Sequence, residues 1–398
     1  MQDDEVSFSQ GHLESLDIIA QITKEWKSSA KQESEVSKEA LQKLEYYKEL
    51  SSALQDELFE LSRKNQGFSI HSFSNCDDSL LRFVGVPSYN EFIELVDEIS
   101  FPPQLGTGFL DKYNLIAAGL IHLKTGCTWN FLSFLFFNSA KREKDLNSMA
   151  TRALSYFECF LYVKYVNFPS YEQIKKNTEG TSLNKDLPNC VGFVDGTYLY
   201  GESSHYGALH RTMYCHYKND LQLSKFLVIC DPTGFIMGVF GPCTAESDDK
   251  LFQDLLKDAK EVSEKEDDGS LGHRIASALH HWISTLPDDA ALGLDAGFPS
   301  AEKVVSFHVI LPKKVRKEED SFEPKDAIRS RELTRWRGVV ERANRRLKVF
   351  HLLSVRYPNG SLIQAELYFH VAAILCNKYG APLARLAEGE GRREKYIE

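Results

Sequence analysis

The sequence predicts a mixed α/β protein in which an all-helical region precedes a sheet-bearing domain. Up to about residue 168 the apolar positions recur at helical spacing, and from Cys190 the texture changes to short apolar runs separated by turn sequences. The third observation is the order after Cys190, which reads as three strands, helix, strand, strand, helix. With 398 residues the chain exceeds one typical domain. The expected units are a helical extension over 1–65, a helical region over 80–168, a sheet domain over 188–380 and a charged tail over 381–398.

In the first unit Leu44, Tyr47, Leu54, Leu58 and Leu61 follow steps of three and four, with Ser51 filling one slot. This short heptad-like seam serves either as an amphipathic cover for the protein's own core or as a self-association helix giving a homo-oligomer. Residues 66–79 (QGFSIHSFSNCDDS) carry polar turn formers and read as a linker. Pro102-Pro103 and Gly106/Gly108 then separate a helix near 88–99 from another near 111–124. The stretch Thr128–Phe137 is bulky nearly all round and should be deeply buried, and after a polar turn a longer helix covers about 146–165. Helix, turn, short helix, turn and helix is the layout of a helix-turn-helix unit, and equally of an ordinary three-helix core. The suspected recognition helix at 146–165 offers Arg152 and Lys164 but few base-reading side chains on one face.

In the sheet domain Cys190–Val194 forms a strand ending at Asp195-Gly196, and Met213–Tyr217 and Leu221–Cys230 follow as strands. Asp231-Pro-Thr-Gly234 is a turn, and Phe235–Phe240 returns as the next strand of an antiparallel meander. Ser247 is the expected N-cap of a helix opening with Asp248 and Asp249. Beyond an acidic loop at 261–270 come a helix at Ile275–Ile283, a strand at Ala291–Leu294 and a strand at Val304–Leu311. Helices over 326–350 and 361–378 close the domain.

Composition limits the function. Hydrophobic residues make up 42% and charged residues 26%, which excludes a chain disordered throughout. No apolar stretch of about 18 residues exists, so no membrane span is expected. The N-terminus lacks the basic-then-apolar layout of a secretory signal, and the eight scattered cysteines form no C-x-x-C pair. Export is therefore not expected, and the thiols should stay reduced. The net charge of −10 argues against a simple basic nucleic-acid module, yet basic residues gather at 313–317 and 335–348. Such local polarity suits an anionic partner docking on one face.

The chemistry rests on three acids. Asp195 and Asp295 each close a short apolar strand, where side chains of open α/β sheets face a crevice. Glu341 lies in RWRGVVERANRRLK, one residue round from the buried stripe Trp336, Val340, Ala343, Leu347 and Phe350. It either looks into a cleft or pairs at i,i+4 with Arg337 or Arg345. Three carboxylates brought together repel unless divalent cations neutralise them, and hard oxygen ligands suit a pair of Mg²⁺ or Mn²⁺ ions. Arg337, Arg345 and Lys348 could then hold phosphates without being ligands.

VGFVDGT (191–197), LGLDAGFP (292–299) and RGVVERANRRLK (337–348) resemble the three blocks of the PIF/Harbinger-type DDE transposases and their domesticated nuclease-like relatives. The likeness extends to PNCVGFVDGT (188–197), to the strand–DPTG–strand hairpin and to Ser247-Asp248, and covers about 165–355. The resemblance implies an RNase H-like mixed-sheet nuclease domain, with Asp195, Asp295 and Glu341 as a triad binding two divalent metal ions. It implies cleavage of DNA phosphodiester bonds, often with a Myb/SANT-like DNA-binding protein acting in trans. Asp248 matches a recurrent acid, although its place after a cap gives it a structural role, and Lys218 lies where relatives carry a basic phosphate contact. The acidic insertion near 261–270 and an N-terminal extension without a zinc finger depart from the pattern. Pro312–Lys317 (PKKVRK) resembles a nuclear import signal, which DNA chemistry requires.

The leading expectation is a metal-dependent DDE nuclease or transposase. The alternatives are a catalytically silent scaffold that keeps the fold for binding DNA or protein, and a ribonuclease or other phosphodiesterase on the same fold.

Overall fold

A computed structural model describes residues 68–381 apart from 103–104, 106–109, 204–205, 217–220, 304 and 313–323, together with a few helical residues between Gln42 and Asp56. The seam Leu44, Tyr47, Ser51, Leu54, Leu58 and Leu61, Lys218, the basic run 313–317 and the tail from 382 lie outside the described residues. Among the described residues no helix is long and apolar enough to cross a membrane.

The helices before the sheet are α1 (Asp77–Phe83), α2 (Tyr89–Asp97), α3 (Lys112–Thr125), α4 (Trp129–Phe137), α5 (Glu143–Tyr165), α6 (Tyr171–Thr178) and α7 (Ser182–Asp186). Their starts follow from capping. Ser88, Asp111, Thr128, Ser170 and Thr181 each accept an amide of the first turn, and Gly126 ends α3 in the left-handed region. The segment expected as a linker is built in. Phe68, Ile70 and Phe73 are buried and Ile70–Phe73 forms a 3₁₀ turn, because these three apolar side chains outweigh the polar residues between them.

The sheet comprises β1 (Cys190–Tyr200), β2 (Tyr214–Cys215), β3 (Leu221–Cys230), β4 (Ile236–Cys243), β5 (Ala291–Gly293) and β6 (His308–Ile310). The helices α8 (Gly207–Met213), α9 (Asp248–Ser263), α10 (Leu271–Thr285), α11 (Pro324–Leu347) and α12 (Ala365–Tyr379) complete it. Across the sheet the order is β4, β3, β1, β5, β6, with the two residues of β2 also on β3. β1, β3 and β4 are antiparallel neighbours, and β5 and β6 run parallel to β1.

Three expectations need correction. β1 does not stop at Val194: pairing with β3 continues from Phe193↔Cys230 to Tyr200↔Leu223, so Asp195 sits within the strand. The β-favouring Thr197-Tyr-Leu-Tyr200 sustains the ladder past Gly196. The strand expected at 213–217 is a helix ending at Met213 followed by the two-residue β2, and the strand expected at 304–311 shrinks to β6.

The sheet has two covered faces. Phe193, Val228, Phe226 and Leu199 join one core with α3, α5, α11 and α12, while Val194, Ile229, Leu227 and Leu292 join another with α9 and α10. The first core runs continuously from Phe68 to Cys376, so the helices of 80–168 and one face of the sheet share a single interior. α5 is central to it, burying Leu146, Ala150, Leu154, Phe157 and Leu161, and its Lys164 pairs with Glu98 at 2.8 Å.

The outer edge of β4 is closed by side chains. Asn377 accepts the Ile236 amide at 3.0 Å and donates to the Ile236 carbonyl at 2.8 Å, standing in for a neighbouring strand. Val239 is matched likewise, its amide donating to Tyr162 Oη and its carbonyl accepting from His370 Nε2. At these two residues the edge offers no free backbone group to another strand.

Candidate functional site

Alternation along β1 points Phe193, Asp195 and Thr197 toward α11. β5 lies alongside in parallel register, Phe193 opposite Gly293, and Asp295 follows two residues past its end, within electrostatic range of Asp195. Gly293 is required there, since a Cβ would stand 2.5 Å from the Phe193 ring. Asp295 itself is fixed by the turn after β5: its Oδ1 accepts the Gly297 amide at 2.5 Å, and Asp249 on α9 holds the same loop by accepting the Ser300 amide at 2.8 Å.

α11 crosses this face with its stripe Trp336, Val340, Ala343, Leu347 buried, as its spacing predicts, and Phe350 just beyond is buried too. Arg337, Glu341 and Asn344, at i, i+4 and i+7, share one side of the helix. Arg337 Nη1 donates to Asp195 Oδ1 at 3.0 Å and its Nη2 to Glu341 Oε1 at 2.6 Å, so one guanidinium spans two of the three acids. Asn344 Nδ2 donates to Asp195 Oδ2 at 2.9 Å. The side chain of Asp195 is 18% exposed and that of Glu341 55%.

The electrostatics tie the acids together. Burial first, and then the charges of Asp295 and Glu341, raise the Asp195 carboxyl to about 6 against the downward pull of Arg337. Asp295 and Glu341 therefore both act on Asp195, but the three acids do not form a closed ligand set as they stand. Among the described residues no group of three His, Cys, Asp or Glu side chains is arranged to hold a metal ion. The donor chemistry nevertheless fits a hard divalent cation, and the cation now lodged between two of the carboxylates is Arg337.

The predicted basic residues separate. Arg337 is engaged by the acids, Arg345 is exposed, and Lys348 is turned inward. Its ammonium donates to the carbonyls of Tyr198 and Leu353 and sits 5.4 Å from the Phe369 ring, tying α11 to β1.

Two further residues escaped the sequence reading. Asn344 could have been found from its i+7 spacing to Arg337. Lys225, a lone lysine in the apolar strand LQLSKFLVIC, pairs with Asp248 at 2.8 Å on the other face of the sheet. Asp248 opens α9 after the Ser247 cap, and its carboxylate lies 3.0 Å from where a Cβ on Gly196 would be. Its structural role is thus visible: it neutralises Lys225 through a gap that only glycine leaves.

No curated protein and no solved structure matches the chain. Residues 194–377 match the family model described as DDE superfamily endonuclease, a span that begins one residue before Asp195 and includes Asp295 and Glu341, and the match supports that superfamily for this chain.

Proposed function

We propose that the chain is a divalent-metal-dependent DNA endonuclease or transposase of PIF/Harbinger type, working on an RNase H-like domain. The observation that carries this reading is Arg337 of α11 bridging Asp195 and Glu341, with the charge of Asp295 also acting on the buried Asp195. The strand order β4, β3, β1, β5, β6, antiparallel on one side of β1 and parallel on the other, supports the RNase H-like assignment.

Asp195, Asp295 and Glu341 would hold Mg²⁺ or Mn²⁺. When bound, the metal lowers the pKa of an attacking water or 3′-hydroxyl and stabilises the leaving oxygen. The chain's own contribution is positional. Asn344 fixes one oxygen of Asp195, the Gly297 turn fixes Asp295, and Arg337 holds Asp195 and Glu341 together. Released from Glu341, the Arg337 guanidinium is placed to face a phosphate beside the acids, a geometry suited to bidentate oxyanion contact.

DNA is the proposed substrate and the nucleus the proposed location, resting on the PKKVRK run at 312–317. Base recognition is assigned to a Myb/SANT-like partner, because α5 turns most of its face into the core and Lys164 to Glu98. Homo-oligomerisation through the N-terminal seam is part of the same proposal.

The test is cleavage of plasmid or short duplex DNA with Mn²⁺ by the wild type, Asp195→Ala and Glu341→Gln, with RNA assayed in parallel. Loss of cleavage in both variants supports the reading. Equal cleavage by all three proteins overturns it.

A further inference from the structure

The helices before the sheet frame a cavity of their own. It has a volume of about 440 Å³ and is lined by His71, Tyr89, Asn90, Ile93, Glu94 and Tyr113. These residues come from the 3₁₀ turn Ile70–Phe73, the first half of α2 and the start of α3. Three of the six carry rings. The His71 ring stands 6.2 Å from that of Tyr89 at 75° and 5.6 Å from that of Tyr113 at 72°. Both tyrosines therefore meet it edge to face, and the cavity is bounded by ring surfaces set nearly at right angles.

Hydrogen bonds among these residues and their neighbours fix the rings. His71 Nδ1 lies 2.7 Å from Tyr89 Oη and its Nε2 2.8 Å from Asp111 Oδ2, while Tyr113 Oη donates to Asp97 at 2.7 Å. The Ile70 amide donates to Asn114 at 2.9 Å, which ties the turn carrying His71 to α3. Burial and the Asp111 charge both raise the Tyr89 phenol, so the Asp111–His71–Tyr89 chain braces the rings and does not arm a nucleophile. Walls held in this way lose little freedom when a ligand enters.

The charge around the cavity is negative. Glu94 is exposed on its wall, and among the described residues no lysine or arginine pairs with it, whereas Asp97 and Glu98 close by each hold one. Aromatic rings already attract a cation beside this spot: Lys112 Nζ, held by Asp97, lies 4.8 Å from the Tyr113 ring centroid and 6.0 Å from that of Phe101. Lys112 itself does not line the cavity. Both tyrosine hydroxyls and both His71 nitrogens are engaged, so the rings offer their surfaces more than free hydrogen-bonding groups. That suits a cation with no N–H to donate.

We propose that this cavity binds a quaternary alkylammonium group, with His71, Tyr89 and Tyr113 as its ring walls and Glu94 supplying the opposite charge. Ring faces together with one carboxylate are what such a cation recognises. The group is either the side chain of a trimethylated lysine or a free quaternary amine, and both present the same methylated nitrogen. The site is built from the helices before the sheet and does not rest on the acids of β1, β5 and α11 being catalytic.

The experiment measures the melting temperature of the full chain against choline chloride at constant ionic strength. Sodium chloride and neohexyl alcohol, the neutral carbon isostere of choline, are the controls. Wild type gains stability with choline in a saturable way and gains nothing comparable from the alcohol. Tyr113→Leu weakens the apparent affinity about tenfold and Glu94→Gln about threefold, while Tyr113→Phe, which keeps the ring, stays within about twofold of wild type. If Tyr113→Leu fails to fold, Glu94→Gln at an exposed position carries the test with the choline-against-alcohol comparison. N-acetyl-trimethyllysine amide identifies the source: binding tighter than choline points to a methylated side chain, and weaker binding points to a free amine. Glu341→Gln keeps the choline gain, which separates this site from the carboxylate centre. No saturable gain in wild type, equal gains from choline and the alcohol, or wild-type affinity in both Tyr113→Leu and Glu94→Gln overturns the proposal.

Discussion

Asp195 and Asp248 lie on opposite faces of the same stretch of β1, and the protein treats them in opposite ways. Asp248 meets one cation, Lys225, whose side chain is only 9% exposed, and the pair is closed. Asp195 shares one guanidinium with Glu341, has Asp295 beside it, and is pushed up to about 6. A matched buried pair holds helix to strand. One guanidinium shared by two carboxylates, with a third acid near Asp195, leaves negative charge unmatched on this side of β1.

The contrast is open to attack, first through activity. Asp295→Asn and Glu341→Gln are expected to lower Mn²⁺-dependent DNA cleavage by about a thousandfold or more, or about 4 kcal/mol of barrier, whereas Asp248→Asn should lose activity only in proportion to lost folded protein. Cleavage rates normalised to folded fraction check this. Next comes stability on the closed side. Lys225→Met strands the Asp248 carboxylate and should cost about 3–5 kcal/mol in denaturant unfolding, with the double variant Lys225→Met/Asp248→Leu recovering most of it.

On the open side the sign reverses. The folded state holds the Asp195 proton more tightly than the unfolded chain, so this group favours folding at low pH, and the contribution is lost as pH rises through about 6. Asp195→Asn should therefore match the wild type near pH 3 and exceed it by about 3 kcal/mol at pH 8 without metal. Thermal melts of both proteins across that range decide it. The smallest effect belongs to Asn344→Leu, expected to change stability by less than about 1 kcal/mol because its Oδ1 is already unpartnered, yet to slow cleavage about tenfold by freeing Asp195.

How much of this could be read from the sequence depends on the range of the forces involved. Helix starts were legible because caps are local: Ser247 accepts the Lys250 amide as its position before Asp248-Asp249 implies. The buried stripe of α11 was legible from period alone. The length of β1 was not, since what carries it past Gly196 is a ladder with β3 some thirty residues away. The same holds at residues 66–79, where three apolar side chains reach a distant core through a polar stretch. At the site, the Glu341–Arg337 pair was one of the two i,i+4 options the sequence offered, whereas the reach of Arg337 to Asp195 on a distant strand was not legible. Arg337 and Lys348 are about three turns apart on one helical face, and only the packing of α11 on the sheet sends one to Asp195 and the other to the Tyr198 carbonyl.

The most direct measurement is anomalous diffraction at the manganese edge from crystals grown with Mn²⁺ above pH 7. The account predicts density in contact with Asp195, Asp295 and Glu341, with the Arg337 side chain withdrawn from between Asp195 and Glu341. Manganese held elsewhere, or an undisturbed Arg337 bridge at saturating metal, would contradict it.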